Sequence, residues 1–272
     1  MQNNLRCALL VFESNYIAKI LSNRFLTIRS FSSNHKKNDN NNFFNSNLSS
    51  FITGLTDAEG SFIIKMRKMS ALKTGWAIEP SFEISLHLRD LDLLNLVRKY
   101  FGNISKVRID NNKPMCHFSV GSLNDIISKI LPHFYNYPLL TQKRADYLLF
   151  KKVILMMQNK EHLTKVGIEN IVNIRASMNL GLTDILKAAF PNYSPILRPI
   201  VEGLIIPNPL WVVGFVSGEG CFFINLITNK YSNKTYVQLR FSISQHFRDI
   251  KLIESFISYF NCGYITKDNV GV

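Results

Sequence analysis

The chain has 272 residues, 46% apolar and 19% charged, with a net charge of +13 and a pI of about 9.6. That mix is globular rather than disordered, and so large a basic excess favours a polyanionic partner, nucleic acid ahead of an acidic membrane surface. Four scattered cysteines (Cys7, Cys116, Cys221, Cys262), with no C-x-x-C pair and no histidine at finger spacing, argue against a disulfide framework or a structural zinc.

In chain order, residues 1–47 carry Arg6, Lys19, Arg24 and Arg29, many serines, and Glu13 as the one acid before Asp39. This reads as a mitochondrial import segment with "RSFSS" as its processing region, passing into a polar linker, "NDNNNFFNSNLSS". Residues 48–158 form a first module. "FITGLTDAEGSF" (51–62) is a helix ending at Glu59 and Gly60, where the glycine serves as a helix C-terminal residue. Two strands alternate with period two, burying Phe62, Ile64 and Met66, then Phe82, Ile84 and Leu86. "RDLDLLNLVRKYF" has helical spacing, with Leu91, Leu94, Val97 and Phe101 on one side. A strand, "MCHFSV", and two helices, "SLNDIISKILPHF" and "YLLFKKVILMM", complete the module. Residues 159–209 read as a helical linker ending in a Pro-containing connector.

From residue 210 the phrase returns as "LWVVGFVSGEGCF". "SFEISLHLRDLDLLNLVRKYFG" (81–102) lies opposite "RFSISQHFRDIKLIESFISYFN" (240–261), so the order of the matches points to a tandem duplication. The apolar stretch around the second phrase is broken by two prolines, three glycines and Glu219, which rejects a membrane span. The fold class is therefore α+β, with helices gathered on one face of each of two antiparallel sheets. The second module, residues 210–272, is truncated at "ITKDNVGV", before any counterpart of the first module's later strand and helices. An apolar sheet face left without cover there would meet water at roughly 25 cal/mol per Å².

Within the duplicated helix, Gly54 and Ala58, like Gly214 and Gly218, are four apart on one face, which lets two helix backbones pack closely. Glu59 and Glu219 then end their helices, where the helix dipole disfavours negative charge and a divalent cation relieves it. Carboxylates and water suit Mg²⁺, and such ions serve phosphodiester hydrolysis. The outward strand positions mix donors, acceptors and apolar groups suited to base edges in a major groove. They are Ser61, Ile63, Lys65 and Arg67, with Ser81, Glu83 and Ser85, in the first module. In the second they are Phe223, Asn225, Ile227, Gln238, Arg240, Ser242 and Ser244.

"ITGLTDAEG" and "VVGFVSGEG" resemble the two motifs of the LAGLIDADG homing endonucleases, of the single-chain, two-repeat kind encoded in fungal mitochondrial introns. The resemblance extends through "YPLLTQKRADYLLF" and "NKEHLTKVGIENIVNIRASMNLGLTDILKAAFP". It implies central motif helices, two sheets forming a saddle on double-stranded DNA with a long asymmetric site, and a monomer with pseudo-twofold symmetry. Mg²⁺ or Mn²⁺ would be held by Glu59 and Glu219 with the carbonyls of Ala58 and Gly218. Asp57 takes the structural first-acid slot, replaced by Ser217 in the second copy; Gln245 matches the water-positioning glutamine, where the first copy has Leu86. Lys143 matches the lysine that approaches the cleavage pocket, and its second-copy counterpart is not in the sequence. His87 and His246 are read as strand-end structural or phosphate-contacting groups. The competing readings are an RNA maturase acting on the host intron RNA and an inactive relic that binds nucleic acid without cleaving it.

Overall fold

The computed structural model describes residues 6–10, 40–201, 205–231 and 233–267. They fall into two compact units, one of residues 59–202 and one formed by the described residues on either side of it.

In the unit of residues 59–202, strands β2 (Gly60–Lys68) and β3 (Trp76–His87) pair antiparallel from Gly60 opposite Ile84 to Lys68 opposite Trp76. Strand β5 (Met115–Val120) lies along β3, and the short β4 (Val107–Ile109) along β5, giving the order β2-β3-β5-β4. The period-two pattern does what alternation requires, since Phe62, Ile64, Phe82, Ile84, Cys116 and Phe118 are all buried. Helices α2 (Leu91–Tyr100), α3 (residues 123–136) and α4 (Lys143–Gln158) contribute the apolar residues that complete this core. The Phe62 ring sits 5.2 to 5.5 Å from those of Phe82, Phe134, Tyr147 and Phe150, a separation suited to tilted and edge contacts. His133 of α3 is buried beside the Tyr100 hydroxyl at 2.9 Å, and burial pulls its pKa down to about 3, keeping the ring neutral.

The segment read as a helical linker is packed into this unit as far as residue 201. Helices α5 (Lys165–Ala176) and α6 (Asp184–Ala189), capped by Thr164 and Thr183, bury Ile168, Val172 and Leu186 with Leu182 against Met66, Trp76 and Ile78 at the far end of the β2–β3 ribbon. Beyond α6, Arg198 anchors the connector by gripping both carboxylate oxygens of Asp146 at 2.7 and 2.8 Å.

The other unit contains helix α1 (Asn40–Glu59) up to Ala58, helix α7 (Pro209–Glu219) and the ribbon of β6 (Gly220–Thr228) and β7 (Thr235–Ile243). Then come β8 (Gln245–His246), helix α8 (Ile250–Phe260) and β9 (Ile265–Lys267). Asn208 caps α7 by accepting from the Leu210 amide at 2.8 Å, with Pro209 in the first turn, where a missing N–H costs nothing. Trp211, Phe215 and Phe256 stack into the centre of this core. The ribbon beyond it is open. Phe222, Ile224 and Leu226 are 58%, 67% and 70% exposed, whereas Phe62 and Ile64, which hold the first two of these positions in the first module, are 0% and 1%.

Two parts of the amino-terminal reading change. Residues 40–47, expected as polar linker, are the first turns of α1, since extending a formed helix costs far less than starting one. Residues Arg6–Leu10 form strand β1, which pairs antiparallel with β8 and β9. The rest of the expected import segment lies outside the described residues.

Candidate functional site

The motif helices α1 and α7 cross at their glycines. A Cβ on Gly54 would lie 2.0 Å from the Trp211 carbonyl oxygen, and one on Gly214 would lie 2.0 Å from that of Phe51. Neither position holds a larger residue at this separation, so the expected close-packed seam is present and reciprocal. Gly220, which follows α7 as Gly60 follows α1, is not a left-handed cap. Its backbone is extended, φ −86° and ψ 141°, and leads directly into β6. A Cβ there would come within 2.5 Å of Val216 Cγ1, so this glycine is required by closeness and not by a turn.

Asp57, in the first-acid slot, is buried and accepts a 2.9 Å hydrogen bond from Trp211 Nε1 on the facing helix. In the duplicated register Ser217 stands where Asp57 does, and Phe51 where Trp211 does. The copy with the carboxylate faces the copy with the indole donor. A phenylalanine has no N–H to offer, so the second copy has no use for a buried acid, and Ser217 instead donates to the Val213 carbonyl at 2.8 Å. Sequence reasoning missed Trp211, although the paired change at these two positions signals it.

Glu59 and Glu219 are the last residues of α1 and α7, both half-buried. Burial pushes the Glu59 carboxyl above its ordinary pKa, and the positive charge of Lys143 pulls it partly back. Lys143 opens α4 with its amide 3.2 Å from Thr141 Oγ1. The same turn is held from the connector, where Arg198 donates to the Gln142 carbonyl at 3.0 Å as well as to Asp146. Glu219 has a different companion, since Gln245 Nε2 donates to its Oε1 at 3.0 Å. Leu86, in the place of Gln245, is buried core. The two acids are thus served unequally, one by a cation and one by an amide.

Ala58 and Gly218 are half-buried beside these acids in sequence. The donors named for a cation are all oxygens, which fits a hard divalent ion such as Mg²⁺ or Mn²⁺. Among the described residues no group of three or more His, Cys, Asp and Glu gathers as a metal site. One carboxylate per module leaves most of a coordination shell to water and substrate oxygens. His87 and His246 each accept, at Nδ1, the amide of the residue two further on, Arg89 at 3.2 Å and Arg248 at 3.1 Å. They cap the short helical turns after β3 and β8.

The outward strand positions line up across their ladders. Ser61 faces Glu83 and Ile63 faces Ser81, while Phe223 faces Arg240, Asn225 faces Gln238, and Ile227 faces Tyr236. Lys65 approaches Glu83 at 3.6 Å and Arg67 binds Glu79 at 2.8 Å. Ser85 bonds His117 at 2.8 Å, and Arg240 donates to Gln238 at 2.8 Å. Ser244 is exposed. Two members differ from expectation, because Ser81 and Ser242 are buried, with Ser81 donating to Glu83 at 2.8 Å and lying 3.2 Å from Ser119. Exposed Glu79 and partly exposed His117 and Ser119 share the first module's face and were missed. The alternation of "MCHFSV", with Cys116, Phe118 and Val120 inward, is the signal for the latter two.

These features define a duplicated α+β protein whose motif helices cross at glycines and end in one acid each. The family model described as "LAGLIDADG endonuclease" matches residues 52–154 and 212–272, more than half of the chain, and the chain belongs to that family. It is 43% identical over 216 residues to "Probable intron-encoded endonuclease 3" of Neurospora crassa, spanning 79% of this chain and 40% of that protein. A second Neurospora crassa relative, "Probable intron-encoded endonuclease 2", is 40% identical and is spanned to 49% of its length. Among solved structures, the I-SmaMI LAGLIDADG homing endonuclease bound to cleaved DNA is 42% identical with a TM-score of 0.79, covering 82% of this chain and 74% of that one. I-SmaMI has also been solved on an uncleaved DNA target in the presence of calcium ions. The I-LtrWI LAGLIDADG homing endonuclease bound to target DNA is 37% identical with a TM-score of 0.78, covering 82% and 79%.

Proposed function

We propose that the chain serves as a site-specific endonuclease of the intron-homing kind, acting on double-stranded DNA with a long asymmetric site in the mitochondrial matrix. The observation that carries this reading is the pair of motif helices, each ending in a half-buried acid with its own polar companion, Lys143 for Glu59 and Gln245 for Glu219. The DNA-bound state of the similar structures supports the choice of polymer, and the net charge of +13 supports salt-dependent binding to it. A monomer with two related halves accounts for one acid per DNA strand.

Mg²⁺ or Mn²⁺ would be held by Glu59 and Glu219, with the carbonyls of Ala58 and Gly218. When bound, such an ion supplies an activated water and neutralises charge at the scissile phosphate. The protein's own groups do the positioning. Gln245 steadies the Glu219 carboxylate by donating its amide to Oε1. The positive charge of Lys143 favours the ionised form of the half-buried Glu59. The strand faces supply base contacts, with Lys65, Arg67 and Arg240 as their cations.

The test is a selection of cleaved sites from a randomised plasmid library, followed by Glu59→Gln and Glu219→Gln on the selected site. Each variant should bind that DNA as the parent does and lose the cut in one strand. Full double-strand cleavage by either variant would sink the proposal. One alternative is a chain that binds nucleic acid without cutting it. Retained DNA binding without any nick from the parent protein would select that alternative, and preferential binding of its host intron RNA would select a maturase role.

A further inference from the structure

The first module builds one sheet, β2-β3-β5-β4; in the second, β6 and β7 form a two-stranded ribbon, and β8-β1-β9 form a separate three-stranded sheet that begins one residue after β7. In the duplicated register Gln245 and His246 of β8 stand where Leu86 and His87 do at the end of β3, and β9 follows α8 as β4 follows α2. Leu86 pairs with Cys116 and His87 with Met115; Gln245 pairs with Cys7 and His246 with Arg6. On the other edge Ile109 pairs with Cys116, and Lys267 pairs with Cys7. All four pairings are antiparallel. A strand caught by chance on an open edge has a choice of direction and of register. Here direction, both neighbours and the register against β8 repeat the first module, and the register against β9 repeats it at Cys7, beyond which a bulge sets Leu9 opposite Thr266.

The amino-terminal sequence repeats it as well. "RCALLV" from Arg6 lies against "MCHFSV" from Met115, with cysteine and valine in matching places, and further on "SNYIAKIL" (14–21) reads against "NDIISKIL" (124–131). We infer that β1 is the second module's counterpart of β5, so that this module is circularly permuted and takes that strand from chain that precedes the first module. Chain order can be rearranged in this way whenever the spatial neighbours are kept. The groove between β8 and β9 is an acceptor for one extended strand, held by main-chain hydrogen bonds, and Arg6–Leu10 is its occupant. Residues 1–47 are then working structure in part, and an import signal removed as far as "RSFSS" would take the strand with it. The same strand borders Gln245, so it holds in place the residue that steadies Glu219.

The inference does not depend on nuclease activity and is tested without it. In the full-length protein, Leu9→Cys is combined with Thr266→Cys, its partner across the ladder, and with Arg108→Cys, which stands in the first module where Thr266 does in the second. Under mild oxidation the first pair should bond within one chain and the second should not, as mapped by mass spectrometry of the peptides. In parallel, Leu9→Pro should raise amide exchange at Gln245–His246 and Ile265–Lys267 roughly tenfold or more, leaving Met115–Val120 unchanged. A bond formed only between chains, equal bonding to position 108, or unchanged exchange at β8 and β9 would overturn the inference.

Discussion

At Trp211, one indole N–H separates the two copies of the motif chemically. Replacing it with phenylalanine withdraws a donor from the buried Asp57 carboxylate, at a cost of about 1–3 kcal/mol. The double variant Trp211→Phe with Asp57→Ser recreates the Phe51 and Ser217 combination already present in the other copy, and should regain much of that loss. A double-mutant cycle by urea denaturation checks this, and strictly additive losses would refute the coupling. Glu59 carries a second consequence at this scale. Its pKa is raised in the folded protein, so its stabilising effect is present below the unfolded value and is lost as pH rises through the folded one. Glu59→Gln should therefore melt higher than the parent at pH 7 by differential scanning calorimetry. Lys143→Met removes the charge that lowers this pKa, so the acid limb of the pH–cleavage profile should move to higher pH. An unmoved limb would show that Lys143 does not set it.

At the scale of elements, the crossing of α1 and α7 tolerates no added atom. Gly54→Ala or Gly214→Ala places a Cβ 2.0 Å from a carbonyl oxygen, so each should force the helices apart and cost upwards of about 3 kcal/mol. A melting temperature within a degree or two of the parent's would contradict the seam. Local sequence carried the parts set by local chemistry. Alternation marked β2, β3 and β5, the motif acids marked the helix ends, and the spacing of Gly54 and Gly214 marked the crossing. It did not carry elements whose partners are distant. Taken alone, "RCALL" lacks the alternation that marks β5, because β1 forms by pairing with β8 and β9 far along the chain. The expected linker likewise looked like an exposed charged helix, since its apolar partners, Met66, Trp76 and Ile78, belong to strands a hundred residues earlier.

Across the whole molecule, Phe222, Ile224 and Leu226 of the second module's ribbon stand out as apolar and exposed. An apolar ribbon of this kind should bind the dye ANS in native buffer, and Ile224→Lys should reduce that fluorescence without altering the melting of the first module. Native protein without ANS fluorescence would show that the face is covered in solution. Of the candidate site, Glu59, Glu219, Gln245 and Lys143 were legible because each is one residue type at one motif slot. Arg198, Asp146 and Trp211 escaped because their roles lie in whom they meet. The bond between Asp57 and Trp211 also gives the two halves separate identities. Were two copies to pair through their α1 helices alone, each Asp57 would be set against a Phe51 and sealed from water with no indole to answer it. The seam admits its own complement and turns away its duplicate, so a gene doubled from one ancestor has lost the freedom to assemble as two identical parts.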